Sequence, residues 1–219
     1  MAALSGKVAR IKLCAQTATR STNEAATLAP GGLVLNIDTR ARRHWDRSLT
    51  STPVVTQAGA TAVAIGSSNY VVDYAAGQVT FSTARSTAAA ITLDINYMTA
   101  SYVGLAKGWS LDVDVNLLET TVLSTLSTAT TQWRTYTPGL SGGSVTMPRY
   151  LSDSTGRVFF DLQNVGNDLI LELIPSTGAG GFQGYGYVES DSNDVSIDGL
   201  AEETVTVKID GPLTYTTDL

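Results

Sequence analysis

The chain of 219 residues is 43% hydrophobic and only 16% charged, with 20 glycines and 6 prolines; it is long and apolar enough for a packed core and too apolar for a disordered segment. Its net charge of −6 is uneven: the first hundred residues hold nine Lys or Arg against five Asp or Glu, and the rest hold five against fifteen. An acidic C-terminal half disfavours a grip on nucleic-acid phosphates there.

The N-terminus from Met1 to Arg20 is interrupted by Lys7, Arg10 and Lys12, so neither a signal peptide nor a membrane anchor is expected. The one cysteine, Cys14, has no partner for an internal disulfide and reads as a small buried apolar group, which suits assembly in a reducing cytoplasm. Strands are predicted at Lys7–Cys14 and Leu33–Asp38. A basic cluster follows, Arg40-Ala41-Arg42-Arg43-His44-Trp45-Asp46-Arg47. It reads as a solvated loop, as a contact surface for the acidic half of a neighbouring copy, or as a phosphate-binding patch. On the second reading Arg40, Arg42, Arg43, Trp45 and Arg47 are the candidates for contact between subunits or rings.

Tyr70–Tyr74 and Gln78–Ser82 flank Ala75-Ala76-Gly77 as a hairpin, and Ile91–Met98 is a further strand. Residues 38–100 read as an inserted β-rich region between a core of residues 1–37 and 101–219. The clearest alternation runs from Trp109 to Leu117, where Trp109, Leu111, Val113, Val115 and Leu117 oppose Ser110, Asp112, Asp114 and Asn116. Leu118–Leu126 could continue as a helix, although its β-branched residues disfavour one. Strands are predicted again at Ser144–Met147, Leu169–Ile174, Gln183–Glu189, Asp194–Asp198 and Thr204–Asp210. In Gly156–Gly166 the apolar Val158, Phe159, Leu162 and Val165 fall at helical spacing after Asp153, Ser154 and Thr155, which predicts one short amphipathic helix. So many strands around one helix predict an all-β sandwich or barrel.

Motifs for chemistry fail on context. Gly139-Leu140-Ser141-Gly142-Gly143 matches G-x-S-x-G, but Pro138 precedes it, a strand follows it, and the one histidine lies upstream. One His and one Cys exclude a zinc or iron site built from soft ligands. Glu189-Ser190-Asp191-Ser192-Asn193-Asp194 lacks the glycine and bidentate glutamate of a calcium loop and reads as a hairpin turn. The glycines of 178–184 lead into a strand rather than a helix, so no phosphate site forms there. No cofactor, no metal and no enzymatic activity is expected.

Four features in order resemble the tail tube (major tail) proteins of long-tailed, non-contractile bacteriophages. They are Gly108-Trp109-Ser110-Leu111-Asp112-Val113-Asp114-Val115; Trp133-Arg134 through Pro138-Gly139-Leu140 to Ser144-Val145; the predicted helix near Ser154–Leu162; and Gly184-Tyr185-Gly186-Tyr187-Val188-Glu189-Ser190 with the later Gly211-Pro212-Leu213. The resemblance covers residues 101–219 and leaves the inserted region outside it. It implies a tail-tube-type β-sandwich or barrel that assembles as homo-hexameric rings stacked into a hollow tube. It also implies tape measure and tail terminator proteins as partners, transient passage of double-stranded DNA, and a place in the virion tail.

For such a conduit, carboxylates on a wet strand face would repel sliding phosphates over roughly a Debye length of about 8 Å. Asp112, Asp114, Asp194, Asp198, Glu202 and Glu203 are the lumen-facing candidates; alternation separates the two sides of a strand without naming which one faces a bore. A head decoration or tail terminator protein shares this composition. A carbohydrate-binding module would cluster its aromatics, whereas Trp45, Trp109 and Trp133 are scattered.

Overall fold

The computed structural model describes residues 10–14, 18–48, 53–57, 63–86, 90–103, 105–119, 134–151, 159, 161, 163, 168–176, 180–195 and 199–217. In chain order the strands are β1 (Arg10–Cys14), β2 (Thr19–Leu28), β3 (Val34–Ile37), β4 (His44–Trp45), β5 (Val54–Gln57), β6 (Val63–Ala64), β7 (Tyr70–Asp73), β8 (Gln78–Phe81), β9 (Ile91–Met98), β10 (Ser101–Tyr102), β11 (Ser110–Glu119), β12 (Tyr136–Tyr150), β13 (Asp168–Ile174), β14 (Gly181–Asp194) and β15 (Glu202–Thr216). The protein is nearly all β, as the alternating sequence predicts.

One of the two sheets is a curled half-barrel. Seven strands form the first sheet in the order β10-β1-β13-β14-β15-β12-β11, antiparallel throughout. One face is dry: Val145, Met147, Leu169, Leu171, Leu173, Val188, Val205 and Val207 pack together with Phe159. Phe159, Asp161 and Gln163 are helical, which places a helix where the 3.6-residue period predicts one; Val158, Leu162 and Val165 lie outside the described residues. Burying each Leu or Val of this cluster contributes roughly 1.5–3 kcal/mol.

A second sheet runs β6-β5-β9-β2-β3-β8-β7, with β4 also on β9. Its core is Leu35, Trp45, Val55, Val79, Phe81, Leu93 and Ile95 with their neighbours. The predicted hairpin is present as β7 and β8. Gly77 turns it at φ +65°, and a side chain there would collide with the backbone of Arg43. A small third cluster joins the sheets, where Ala75 meets Ile170 and Tyr185.

Pairing relocates two segments. Strands β2 and β3 precede residue 38, yet Ala26 pairs with Ile37 while Glu24 and Ala25 pair with Leu93 and Thr92 of β9. Both therefore belong to the second sheet, which draws on residues from Thr19 to Met98. β12 is far longer than the predicted Ser144–Met147. Its first half, which includes Pro138, pairs only with β11 and meets it at a register shift, and a strand edge or bulge is where proline is tolerated. Leu118 and Glu119 end β11 as strand; the rest of the possible helix to Leu126 lies outside the described residues.

Candidate functional site

Asp112 and Asp114 project from one side of β11, because a strand alternates its side chains. Cross-strand pairing carries that side over the sheet. Asp112 pairs with Ser144 and Ser144 with Lys208; further along, Tyr150 pairs with Glu202, and Glu202 with Asp194. Paired residues share a face, so Asp112, Asp114, Asp194 and Glu202, from three strands, stand together on the face opposite the core, and all are exposed. Hydroxyl residues such as Ser144, Thr204 and Thr206 fill the space between them. Asp194 and Glu202 are direct cross-strand neighbours, an unfavourable like-charge pair that Lys107 relieves by an ion pair with Glu202. Asp198 lies outside the described residues.

Glu203 does not belong to this face. Following Glu202 directly, it takes the opposite side of β15, is 1% exposed, and forms an ion pair with Arg149, itself 2% exposed. The period of two that exposes one of these glutamates buries the other. The Arg149 guanidinium also lies 4.8 Å over the Phe159 ring. Asp191 stands beside this pair, where burial and the charge of Glu203 push its carboxyl up to about 6. The acidic run ending at Asp194 is therefore strand rather than hairpin turn.

The β11–β12 hairpin is exposed on both faces from Asp112 to Glu119 and from Tyr136 to Ser141. Its apolar residues Val113, Val115, Leu117, Leu118 and Leu140 are 45 to 86% exposed. Among the described residues β11 is also the last strand of its sheet, and such an edge presents backbone donors and acceptors for pairing. Between the hairpin and the bulge at Gly211 (φ +87°) lies an open cavity of about 410 Å³, lined by Val113, Ser141, Ile209, Pro212 and Leu213 with three glycines. Among the described residues no acid or base lines it.

The basic cluster is engaged inside the chain. Trp45 is fully buried and its indole N–H donates to the Arg42 carbonyl at 2.8 Å. Arg42 pairs with Glu24, and Arg43 with Glu172. Arg47 reaches Asp168 and Asp210 at 2.6 Å each, donates to the Tyr187 hydroxyl at 2.9 Å, and lies 4.4 Å over the Tyr185 ring. Arg40 is exposed on the 3-10 turn Arg40–Arg42. Arg43 and Arg47 thus reach carboxylates of the acidic half within the chain, while Arg42 pairs with Glu24 of the second sheet itself.

Ser141 of the G-x-S-x-G pattern sits in mid-strand opposite Val115, without the sharp turn that exposes a nucleophile. His44 is committed to Ala75 and Glu172. Among the described residues no group of three His, Cys, Asp or Glu side chains is placed to hold a metal ion. No helix among them is long and apolar enough to cross a membrane.

No family model matches the sequence, and no curated protein does. Among solved structures, the chain is similar to the tail of an empty gene transfer agent particle refined with C6 symmetry, at 16% identity and a TM-score of 0.47, over 54% of this chain and 87% of that one. It is similar to a chain of the native gene transfer agent virion at 17% identity and a TM-score of 0.46, over 53% and 88%. The SPP1 tail tube, determined by solid-state NMR and electron cryo-microscopy, is similar at 14% identity and a TM-score of 0.41, over 53% and 67%.

Proposed function

We propose that this chain is a structural subunit of a phage-type tail tube, with six copies closing into a ring and rings stacking into a hollow conduit for DNA. The observation that carries the reading is the β11–β12 hairpin, an apolar ribbon standing clear of its own core. Two strands alone are marginal in water, and a contiguous apolar patch marks an interaction site. A ring of identical copies covers that patch and pairs the open β11 edge, removing the hazard of uncontrolled strand addition. The ordered motifs from Trp109 to Leu213 point to the same family.

In this reading Asp112, Asp114, Asp194 and Glu202 face the bore, where carboxylates and hydroxyls keep a sliding polyanion hydrated and unbound. The second sheet meets the first at β13 and β14, which are separated from β11 and β12 by β15 in the strand order. The second sheet, residues 19–98, then lies outside the bore, as a decoration or as a contact between rings. Arg40, exposed on the 3-10 turn Arg40–Arg42, is proposed for such a contact. The subunit acts without catalysis, is assembled in the host cytoplasm into the virion tail, and meets tape measure and tail terminator proteins along and at the end of the tube.

Negative-stain electron microscopy of the concentrated purified protein tests the reading. Hollow rings or tubes are expected; a population of monomers alone at high concentration would refute it.

A further inference from the structure

A small cavity of about 100 Å³ lies between the two sheets, lined by Asn36 of β3, Gln78 of β8, Arg40 and Arg43 at the 3-10 turn, Gln183 of β14 and Thr216 of β15. Register explains the gathering. Asn36 and Gln78 are cross-strand partners and so share a face. Gln183 is the partner of Glu172, and Glu172 of Lys12, a polar row on the first sheet that meets Arg43 of the second. Among the described residues no carboxylate lines the cavity. The acids beside it are held elsewhere: Glu172 pairs with Arg43 and, at 2.7 Å, with Lys12, and Asp73 accepts the N–H groups of Ala75 and Ala76 at 3.1 and 3.0 Å.

Gln183 is 2% exposed, and its side-chain oxygen has no hydrogen-bond partner among the described residues. A buried polar atom left without a partner is costly, so this one marks a place for a donor. Two guanidinium groups on the same cavity mark a place for an anion. An oxyanion that bears a hydroxyl answers both: its oxygens accept from Arg40 and Arg43, and its hydroxyl donates to Gln183. The cavity is well below the roughly 300 Å³ at which sites for organic ligands begin. That size selects a small ion over a nucleotide or a peptide.

We infer that this cavity binds a small tetrahedral oxyanion of the hydrogen phosphate class, and that the bound anion clamps the second sheet to the first. The clamp follows from the lining. Asn36, Gln78, Arg40 and Arg43 come from the segment that builds the second sheet, and Gln183 and Thr216 from the first. An ion that touches both sides binds the docked arrangement and not the separated one, and stabilises it by mass action. The site belongs to the single chain and does not rest on the tube reading; a neighbouring copy that takes Arg40 in a tube would compete with the anion.

Nitrogen-15 NMR of the full chain, titrated with inorganic phosphate at an ionic strength held constant with chloride, tests the site. The backbone amides of Arg43, Gly77 and Gln183, all on the cavity wall, are expected to shift together and to saturate. The unfolding temperature should rise with phosphate and not with chloride. Arg40→Gln, at an exposed position, should weaken the binding by about tenfold as one charge-assisted hydrogen bond is lost. Gln78→Glu keeps the size of a half-buried side chain and puts a carboxylate on the wall, and should abolish the binding. Arg134→Gln, beside Glu119 of β11, should leave it unchanged. Shifts that spread over the exposed Lys and Arg residues without saturating would overturn the inference. So would an affinity that neither Arg40→Gln nor Gln78→Glu lowers, or an unfolding temperature indifferent to phosphate.

Discussion

Replacing Leu117 and Leu140 together by serine separates a surface that waits for a partner from one that serves the monomer. In the single chain these side chains are 57 and 86% exposed, so they contribute little to its core. Covering what remains exposed stabilises an interface by roughly 1 kcal/mol for Leu117 and about 2 kcal/mol for Leu140, on a scale of about 1.5–3 kcal/mol for a fully buried side chain. About 3 kcal/mol per interface is on the order of a hundredfold in association. Urea unfolding of the dilute protein should change by no more than about 0.5 kcal/mol per substitution, while the concentration at which rings or tubes appear in sedimentation velocity rises by roughly that hundredfold. A double variant that assembles at the wild-type concentration would refute the hairpin as the subunit interface. One that loses several kcal/mol as a monomer would show that the ribbon packs on its own chain.

Arg149→Met strands Glu203 in the core without its partner and should cost about 3–5 kcal/mol in chemical denaturation, whereas Arg149→Met with Glu203→Leu should recover most of it; a double variant no more stable than the single would contradict the pair. Asp191, with its carboxyl raised to about 6, binds its proton more tightly folded than unfolded. Its contribution is present below about pH 4 and lost as pH rises through about 6, on the order of 1 kcal/mol after allowing for its partial exposure. Asp191→Asn should abolish that slope of the urea midpoint, and an unchanged slope would reject the assignment. Asp112→Lys with Asp114→Lys should leave folding intact, since both residues are exposed, and impair DNA delivery; normal infectivity would count against a lumen role.

Much of the fold was legible because strands with one dry face write themselves as alternation. Leu169, Leu171 and Leu173 announce β13, and Val205 and Val207 announce β15. The same alternation in β11 named a strand but not a buried side: Val113, Val115 and Leu117 are as exposed as Asp112 and Asp114, because the strand runs past its own core. Periodicity reports which residues share a face, and burial depends on what covers that face. β2 was hidden for another reason. A register shift between Ser21 and Glu24, with Asn23 at φ 56°, breaks its period, and asparagine is among the few side chains that tolerate this conformation.

The acidic face was half legible. Asp112, Asp114, Asp194 and Glu202 come together through register, which no local window contains. Glu203 could have been set aside from its position next to Glu202 alone. The partner of the basic cluster had a signal too: Glu172 stands alone among Leu169, Ile170, Leu171, Leu173 and Ile174, and a carboxylate in an apolar run implies a buried cation nearby.

The most direct measurement is a cryo-electron microscopy reconstruction of particles formed by the purified chain. The account predicts stacked six-membered rings with β11–β12 of each copy against its neighbour and Asp112 and Asp114 on the wall of the bore. Rings whose acidic face looks outward, or a protein that stays monomeric, would contradict it.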